Sequence, residues 1–307
     1  MFGKNRGKRR FKISPLSIYR FVQGYLNFFF SWRGLPVRRH DLVIDVGSGD
    51  NPNIRADVLC DLYPQSNRER SGKQEIWLDE RPFIVCDIQK LPFQNKVFDY
   101  VICSHLLEHV EDPEQAAKEL TRIGKRGRVE TPGDLFETLY GWPFHRWKVS
   151  RGGDGRVIFE RKDPLKQGLL PEVIRKSREF EKLVARFSHE FLVRFEWQDS
   201  FFVEVRGKEM SARGQASLNP ARFTPEMTKR RTLRQRAKAL LIQSIRLFIS
   251  RHTRMSLSEI LCCPACRGPL QDRRDGFFCQ SCDRLFPGKN GVFFFVEEMK
   301  TFSGTLP

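Results

Sequence analysis

The sequence predicts an α/β fold, a doubly wound parallel sheet followed by a small metal-held ribbon, and three observations carry that prediction. Residues 41–52 read DLVIDVGSGDNP, where Leu42, Val43, Ile44 and Val46 form a β-branched apolar run that stops at glycine. Such a run is what a buried parallel strand looks like as it opens into a loop. Further short apolar runs follow at 57–61, 83–88, 98–104 and 129–132, with helix-like sequence after 98–104. Near the other end of the chain, Cys263-x2-Cys266 and Cys279-x2-Cys282 stand twelve residues apart. That spacing describes two short loops, each giving two thiolates to one tetrahedral metal site.

The first strand and its loop set the chemistry. Gly47 and Gly49 let the backbone turn sharply and approach a ligand with no Cβ in the way. In open α/β sheets, ligands bind outside the carboxyl ends of the strands. The loop matches neither common phosphate-binding turn. Pro52 stands where the dinucleotide fingerprint has its third glycine, and no P-loop lysine follows.

Two of the next runs, DVLCD at 57–61 and FIVCD at 83–87, end on an acid, and FDYVICS at 98–104 leads into HLLEHVEDPEQAAKELTRI. This order of D-x-G-x-G, acid, D-I and F-D-x-V, with L-E-H beyond it, resembles the class I S-adenosylmethionine-dependent methyltransferases, most closely the type 11 group. The likeness covers roughly residues 41–205. It implies a Rossmann-like, seven-stranded sheet, with FLVRFEW (191–197) and FFVEV (201–205) in the places of the sixth and seventh strands, the last antiparallel.

It also implies the donor, S-adenosylmethionine. Asp45 would receive the cationic methionine moiety beside the backbone of Gly47 and Gly49, Asp61 the ribose hydroxyls, and Asp87 the adenine amino group, with Ile88 packed on the ring. The segment 63–81 is long and polar, which makes Asp61 the less secure of the acids. Ser104 ends the fourth strand, facing the transferred methyl. His109 has the near-neutral pKa of a general base, or else orients the loop, and Glu108 reads equally as a structural carboxylate.

After the fifth strand, Tyr140, Trp142, Phe144, His145 and Trp147 crowd a stretch broken by Gly141 and Pro143. That describes a loop wall. With Trp142, His145 and Arg146 it suits a sugar ring, a planar metabolite or a nucleoside, and an aromatic satellite core is the competing reading. RGGDGRVIFERKD at 151–163 reads as a hairpin.

Charge divides the 307 residues further. Of 54 Lys/Arg against 37 Asp/Glu, ten basic residues and no acid fall in 1–40, and thirteen basic against two acidic fall in 206–254, leaving 31 basic and 35 acidic elsewhere. The net charge of +17 therefore belongs to two flanking segments. In the first, Ile18, Phe21, Val22, Tyr25, Phe28 and Phe29 share one face of an amphipathic helix, suited either to an anionic membrane surface or to packing across the main domain. In the second, Leu240, Leu241, Ile245, Phe248 and Ile249 mark a basic helix. It could grip RNA phosphates, lie on a membrane, or pack its apolar stripe on the main domain.

Cys263, Cys266, Cys279 and Cys282 are expected to hold a structural Zn²⁺, replacing the core that so short a module cannot build, with Cys262 as the rival to Cys263. With LFPGKNGVFFFV after them, residues 259–297 resemble the small zinc-ribbon proteins that bind and activate RNA and protein methyltransferases.

The expected organisation is thus a basic arm and amphipathic helix (1–40), a methyltransferase domain (41–205), a basic linker and helix (206–258) and a zinc ribbon (259–297). The expected function is methyl transfer to a small-molecule or glycan acceptor, lipid-linked sugars included, with an RNA- or protein-modifying enzyme as the alternative and a non-catalytic adaptor behind both. No run approaches the ~18 apolar residues of a membrane span and no signal peptide is evident. Cytoplasmic placement follows, with the basic segments free to meet the inner membrane surface.

Overall fold

A computed structural model describes residues 34–63, 76, 78–163, 168–169, 177–207, 233–251 and 256–296. The amphipathic run at 18–29 and most of the 206–232 linker lie outside them. Four short strands follow from the apolar runs, buried except for the last residue of the second and fourth: β1 (Val43–Val46), β2 (Val58–Asp61), β3 (Phe83–Val85) and β4 (Tyr100–Ser104). Helix α1 (Pro113–Ile123) begins where Asp112 accepts a hydrogen bond from the Gln115 N–H at 3.1 Å, with Pro113 at its first position. Ala116, Ala117, Leu120 and Ile123 are its buried face, and it ends at Gly124.

The chain continues into β5 (Arg126–Pro132), the short helix α2 (Asp134–Leu139) and a hairpin of β6 (Trp147–Arg151) and β7 (Val157–Arg161). Helices α3 (Arg178–Arg186) and α4 (Ser188–Phe191) lead to β8 (Leu192–Gln198). Val193, Phe195 and Trp197 point inward along β8 while Arg194, Glu196 and Gln198 face outward, the alternation of an antiparallel strand with one wet face.

The strand order β3-β2-β1-β4-β5-β8 is parallel except for β8, which runs antiparallel to β5. The sheet winds outward in both directions from β1, so the switch point lies between β1 and β4. The expected seventh strand does not join β8. Asp199, at φ +63°, turns the chain off the sheet, and β9 (Val203–Arg206) pairs parallel with β7 in a separate three-stranded sheet. Phe201 anchors this departure, its ring 5.2 Å from Phe195 and 5.8 Å from Trp197.

At its other edge the main sheet instead continues through the ribbon, to ten strands among the described residues. The ribbon folds as β10 (Leu270–Arg273), β11 (Gly276–Cys279), β12 (Arg284–Lys289) and β13 (Val292–Phe294), and β13 pairs parallel with β3. The turn Asn290-Gly291 carries φ of +54° and +79°, the left-handed pair that a two-residue hairpin requires, and so aims β13 at β3. The join is dry: Leu261, Phe277, Phe286 and Phe295 belong to the same buried cluster as Ile84, Leu91, Phe93 and Leu120.

Helix α5 (Leu233–Ile249) packs on the main domain, by only part of the stripe expected of it, Ile245 and Ile249. Ile242 meets Ile54, and Arg246 points inward, its guanidinium donating to the Ile54 and Ala56 carbonyls and to Asp57 at 3.0 Å. That inward guanidinium fixes the helix rotation and leaves Leu240, Leu241, Leu247 and Phe248 exposed. No helix among the described residues is long and apolar enough to cross a membrane.

Asp57 is the hub of this corner. It is buried, and it accepts from the Val43 N–H (3.0 Å), Arg55 (2.9 Å), Arg246 (3.0 Å) and the Ser250 hydroxyl (2.5 Å). Replacing it with alanine strands two buried guanidinium groups, and breaking such a pair costs about 3–5 kcal/mol. Urea unfolding of Asp57→Ala is expected to show a loss of that order. A loss below ~1 kcal/mol would mean that the guanidiniums find other partners.

Candidate active site

The carboxyl ends of β1, β2 and β3 bring Asp45, Asp61 and Asp87 to one rim of the sheet, beside the switch point. Gly47, at φ +77°, keeps the loop after β1 flat against β4's extension: a Cβ there would sit 2.8 Å from Leu106 Cδ2. The loop is tied to β2 by the Gly47 N–H donating to the Cys60 carbonyl at 2.8 Å and the Gly49 N–H donating to Asp61 at 3.1 Å. Asp45 is buried and accepts one bond, from the Asn53 N–H at 2.7 Å. Burial pushes its carboxyl up to about 6, with the Asn53 N–H and Arg81 acting against the rise.

Asp87 caps the turn Ile88–Lys90 by accepting from the Gln89 N–H at 2.8 Å, and Ile88 is buried beneath it. The Ser48 hydroxyl is buried with no hydrogen-bond partner among the described residues. A glycine cradle, three rim acids and an orphaned hydroxyl fit a ligand that is polar and carries positive charge.

The end of β4 forms the facing wall. Ser104 is half-buried, and His105 follows at φ +53°, its N–H donating to the Glu130 carbonyl at 2.8 Å. Its ring lies 3.6 Å from Glu108 and 3.3 Å from Glu130, and against the burial that would lower it, these carboxylates hold His105 above its ordinary range. His109 lies 3.9 Å from Glu108, and burial pushes it down to about 4 although Glu108 pulls the other way. Its imidazole is therefore neutral at pH 7.

The aromatic segment meets His109 directly. The Arg146 N–H donates to the Glu108 carbonyl at 2.8 Å and the Trp147 indole N–H to the Val110 carbonyl at 2.8 Å, pinning the loop over the end of β4. Phe136, Tyr140, Trp142, Phe144 and His109 then form a continuous run of ring contacts, with centroids 5.5, 4.4, 4.8 and 5.7 Å apart. His145 is buried behind it, 4.7 Å from the His109 ring. Trp142 and His145 thus belong to this cluster of rings at the end of β4, whereas Arg146 enters through its backbone. Sequence reasoning missed Glu137, whose buried carboxylate accepts from His145 Nδ1 and, at 2.6 Å, from Lys162. A lone glutamate in a helix of six residues offers no pattern to read.

In the ribbon, Cys263 and Cys282 sulfurs lie 3.5 Å apart and those of Cys266 and Cys279 3.4 Å apart, with all four within 4.8 Å of one another. Thiolates around one tetrahedral zinc stand about 3.8 Å apart, so the set fits that ion. Cys262 is excluded: its N–H donates to the Pro92 carbonyl and it lies outside the cluster.

Residues 56–129 match the family model described as a methyltransferase domain, and residues 255–291 match that of Trm112p-like proteins. No curated protein matches the chain. Among solved structures, it is similar to a chain in the complex of the Haloferax volcanii Trm112 methyltransferase activator with a proposed methyltransferase, at 13% identity over 60% of this chain and 93% of that one, TM-score 0.35. An S-adenosylmethionine-dependent methyltransferase from Mesorhizobium loti gives 17% identity over 48% and 69%, TM-score 0.28. The YcgJ protein of Bacillus subtilis gives 18% over 37% and 56%, TM-score 0.27, so the chain spans little more than half of that protein's length.

The methyltransferase-domain match marks the chain as a methyltransferase, and the Trm112p-like match lies on the same chain. Replacing Cys279 with serine is expected to release the ribbon metal and to cost amide protection at Phe83, Ile84 and Val85, read by hydrogen exchange. Unchanged protection there would show that β13 holds its place without the metal.

Proposed function

We propose that the chain transfers the methyl group of S-adenosylmethionine to a small-molecule or glycan acceptor held against the aromatic wall. The observation that carries this is the convergence of Asp45, Asp61 and Asp87 at the carboxyl rim, beside a loop whose glycines leave its backbone open to a ligand. The donor supplies an electrophilic methyl on a sulfonium. Asp45 faces its cationic end, Asp61 its ribose, and Asp87 with Ile88 its adenine, while the Ser48 hydroxyl gains a partner. Ser104 and His109 border the acceptor side, with Trp142 and His145 behind it and Arg146 in the same loop.

Since the chemistry is an in-line displacement, the residues act chiefly by holding acceptor and sulfonium in near-attack geometry. The catalytic unit is residues 41–205. The ribbon, 259–297, holds a structural Zn²⁺ through Cys263, Cys266, Cys279 and Cys282 and serves as a partner in cis. A macromolecular acceptor, RNA or protein, is the second reading, favoured by the Trm112p-like match. The basic segments 1–40 and 206–254 would supply its anionic contacts.

Titration of S-adenosylmethionine by calorimetry tests the cofactor assignment. Asp45→Ala is expected to weaken binding at least tenfold, roughly 1.4 kcal/mol, and unchanged affinity would sink it. The pH dependence carries a sign. Asp45 ionises only above about 6, so donor affinity should rise with pH through that value and fall below it, approaching roughly tenfold per pH unit. Asp45→Asn should flatten the profile.

A further inference from the structure

Glu108 is fully buried, and neither of its carboxylate oxygens has a hydrogen-bond donor within reach among the described residues. The nearest nitrogens, His105 Nδ1 at 3.6 Å and His109 Nε2 at 3.9 Å, lie beyond bonding distance. His105 offsets charge from one side, yet it is half-exposed and shared with Glu130, and it leaves the Glu108 lone pairs unused. On the other side stands His145. A carboxylate can only accept, so Glu137 fixes the proton on His145 Nδ1 and turns the Nε2 lone pair toward the site. Lys162, bonded to Glu137 at 2.6 Å and to the Trp142 carbonyl at 2.6 Å, holds that carboxylate in place.

One ligand atom each from Glu108, His109 and His145 lies within 4.8 Å of the others. Two ligands on one cation at 2.0–2.2 Å stand at most about 4.4 Å apart, so small side-chain rotations close the set. We propose that Glu108, His109 and His145 form a divalent transition-metal site at the methyl-transfer face, with Glu137 as the positioning residue that orients His145. Two imidazoles and a carboxylate suit Mn²⁺, Fe²⁺, Co²⁺ or Zn²⁺, and the carboxylate behind a ligating histidine is the usual outer partner of such a site.

Three protein ligands leave coordination positions open to an oxygen of the acceptor. On the reading proposed above, that oxygen is the one methylated. A bound hydroxyl gives its proton to solvent, its oxygen forms the new bond to the methyl carbon, and the C–S bond breaks with its electron pair staying on sulfur. No oxidation state changes. The cation's part is to favour the deprotonated oxygen and to hold it in line.

Mn²⁺ is the probe that separates this site from the ribbon, whose four thiolates select zinc. Titration of the full chain followed by electron paramagnetic resonance should show one Mn²⁺ bound per chain, with nitrogen couplings from two imidazoles. Glu108→Gln and His145→Ala should each weaken binding by tenfold or more, and Glu137→Gln by about tenfold, while one zinc per chain remains in every variant as proof of folding. The absence of any second equivalent of Mn²⁺, Co²⁺ or Zn²⁺ in the wild type, or Mn²⁺ binding indifferent to Glu108→Gln and lacking imidazole couplings, would overturn the site. Donor affinity is measured on the same samples. Retained donor binding with no second metal rejects this site alone, whereas metal binding without donor binding rejects the methyl-transfer reading and leaves the site standing.

Discussion

Everything in this chain depends on the edge of β3. A doubly wound sheet ends in a row of unpaired backbone groups, and three consecutive fully buried residues at that edge would expose apolar surface and open hydrogen bonds together. β13 covers it. Val292, Phe293 and Phe294 pair with Phe83, Ile84 and Val85, the Phe83 N–H donates to the Gly291 carbonyl at 2.9 Å and the Phe295 N–H to the Val85 carbonyl at 2.8 Å. The four cysteines hold the ribbon, the ribbon presents β13, and β13 converts an edge strand into an interior one. Because Asp87 follows two residues after β3, the ribbon's fold reaches the rim of the site through a single strand.

A second contact makes the ribbon and the sheet one body. Glu119, on the buried side of α1, accepts from the Leu91 N–H at 2.8 Å and from Arg122 at 2.7 and 2.8 Å, and Arg267 of the first cysteine loop joins it at 3.1 and 3.2 Å. Arg267 also donates to the Leu91 carbonyl at 2.7 Å. The loop that carries Cys263 and Cys266 is thereby locked to the helix that follows the L-E-H segment. A small module with little core of its own gains one by sharing its neighbour's.

Much of this was legible in the sequence, and for physical reasons. The β-branched runs at 42–46, 57–61 and 83–87 read as buried parallel strands, with Asp45, Asp61 and Asp87 at or near their carboxyl ends, while Asp57 opens the second run and is buried for architecture. The cysteine pairs named their own cluster. The aromatic segment, broken by Gly141 and Pro143, is a loop over 141–146, whereas Tyr140 closes α2 and Trp147 begins β6. What the residues could not show was pairing across long separations. Val203–Arg206 has the composition of a sheet strand wherever it lies, and only the turn at Asp199 and the ring of Phe201 decide that it joins β7. Likewise, of the stripe Leu240, Leu241, Ile245, Phe248 and Ile249, only Ile245 and Ile249 pack inward, because the Arg246 guanidinium meets Asp57 and two carbonyls that the sequence places nearly two hundred residues away.

Buried carboxylates separate architecture from chemistry here. Asp57, Glu119, Glu137 and Glu108 are all nearly or wholly withdrawn from water. Removing a carboxylate from water is repaid only when its lone pairs are bonded. Asp57 accepts four bonds, Glu119 five, and Glu137 is held between His145 and Lys162. These three are closed accounts of hydrogen bonding and they hold the fold. Glu108 sits among three imidazoles without a bond to any of them, on the one face of the sheet where β4, the glycine loop and the aromatic wall converge. Beside these three saturated acids, Glu108 is the open carboxylate that the proposed cation would complete.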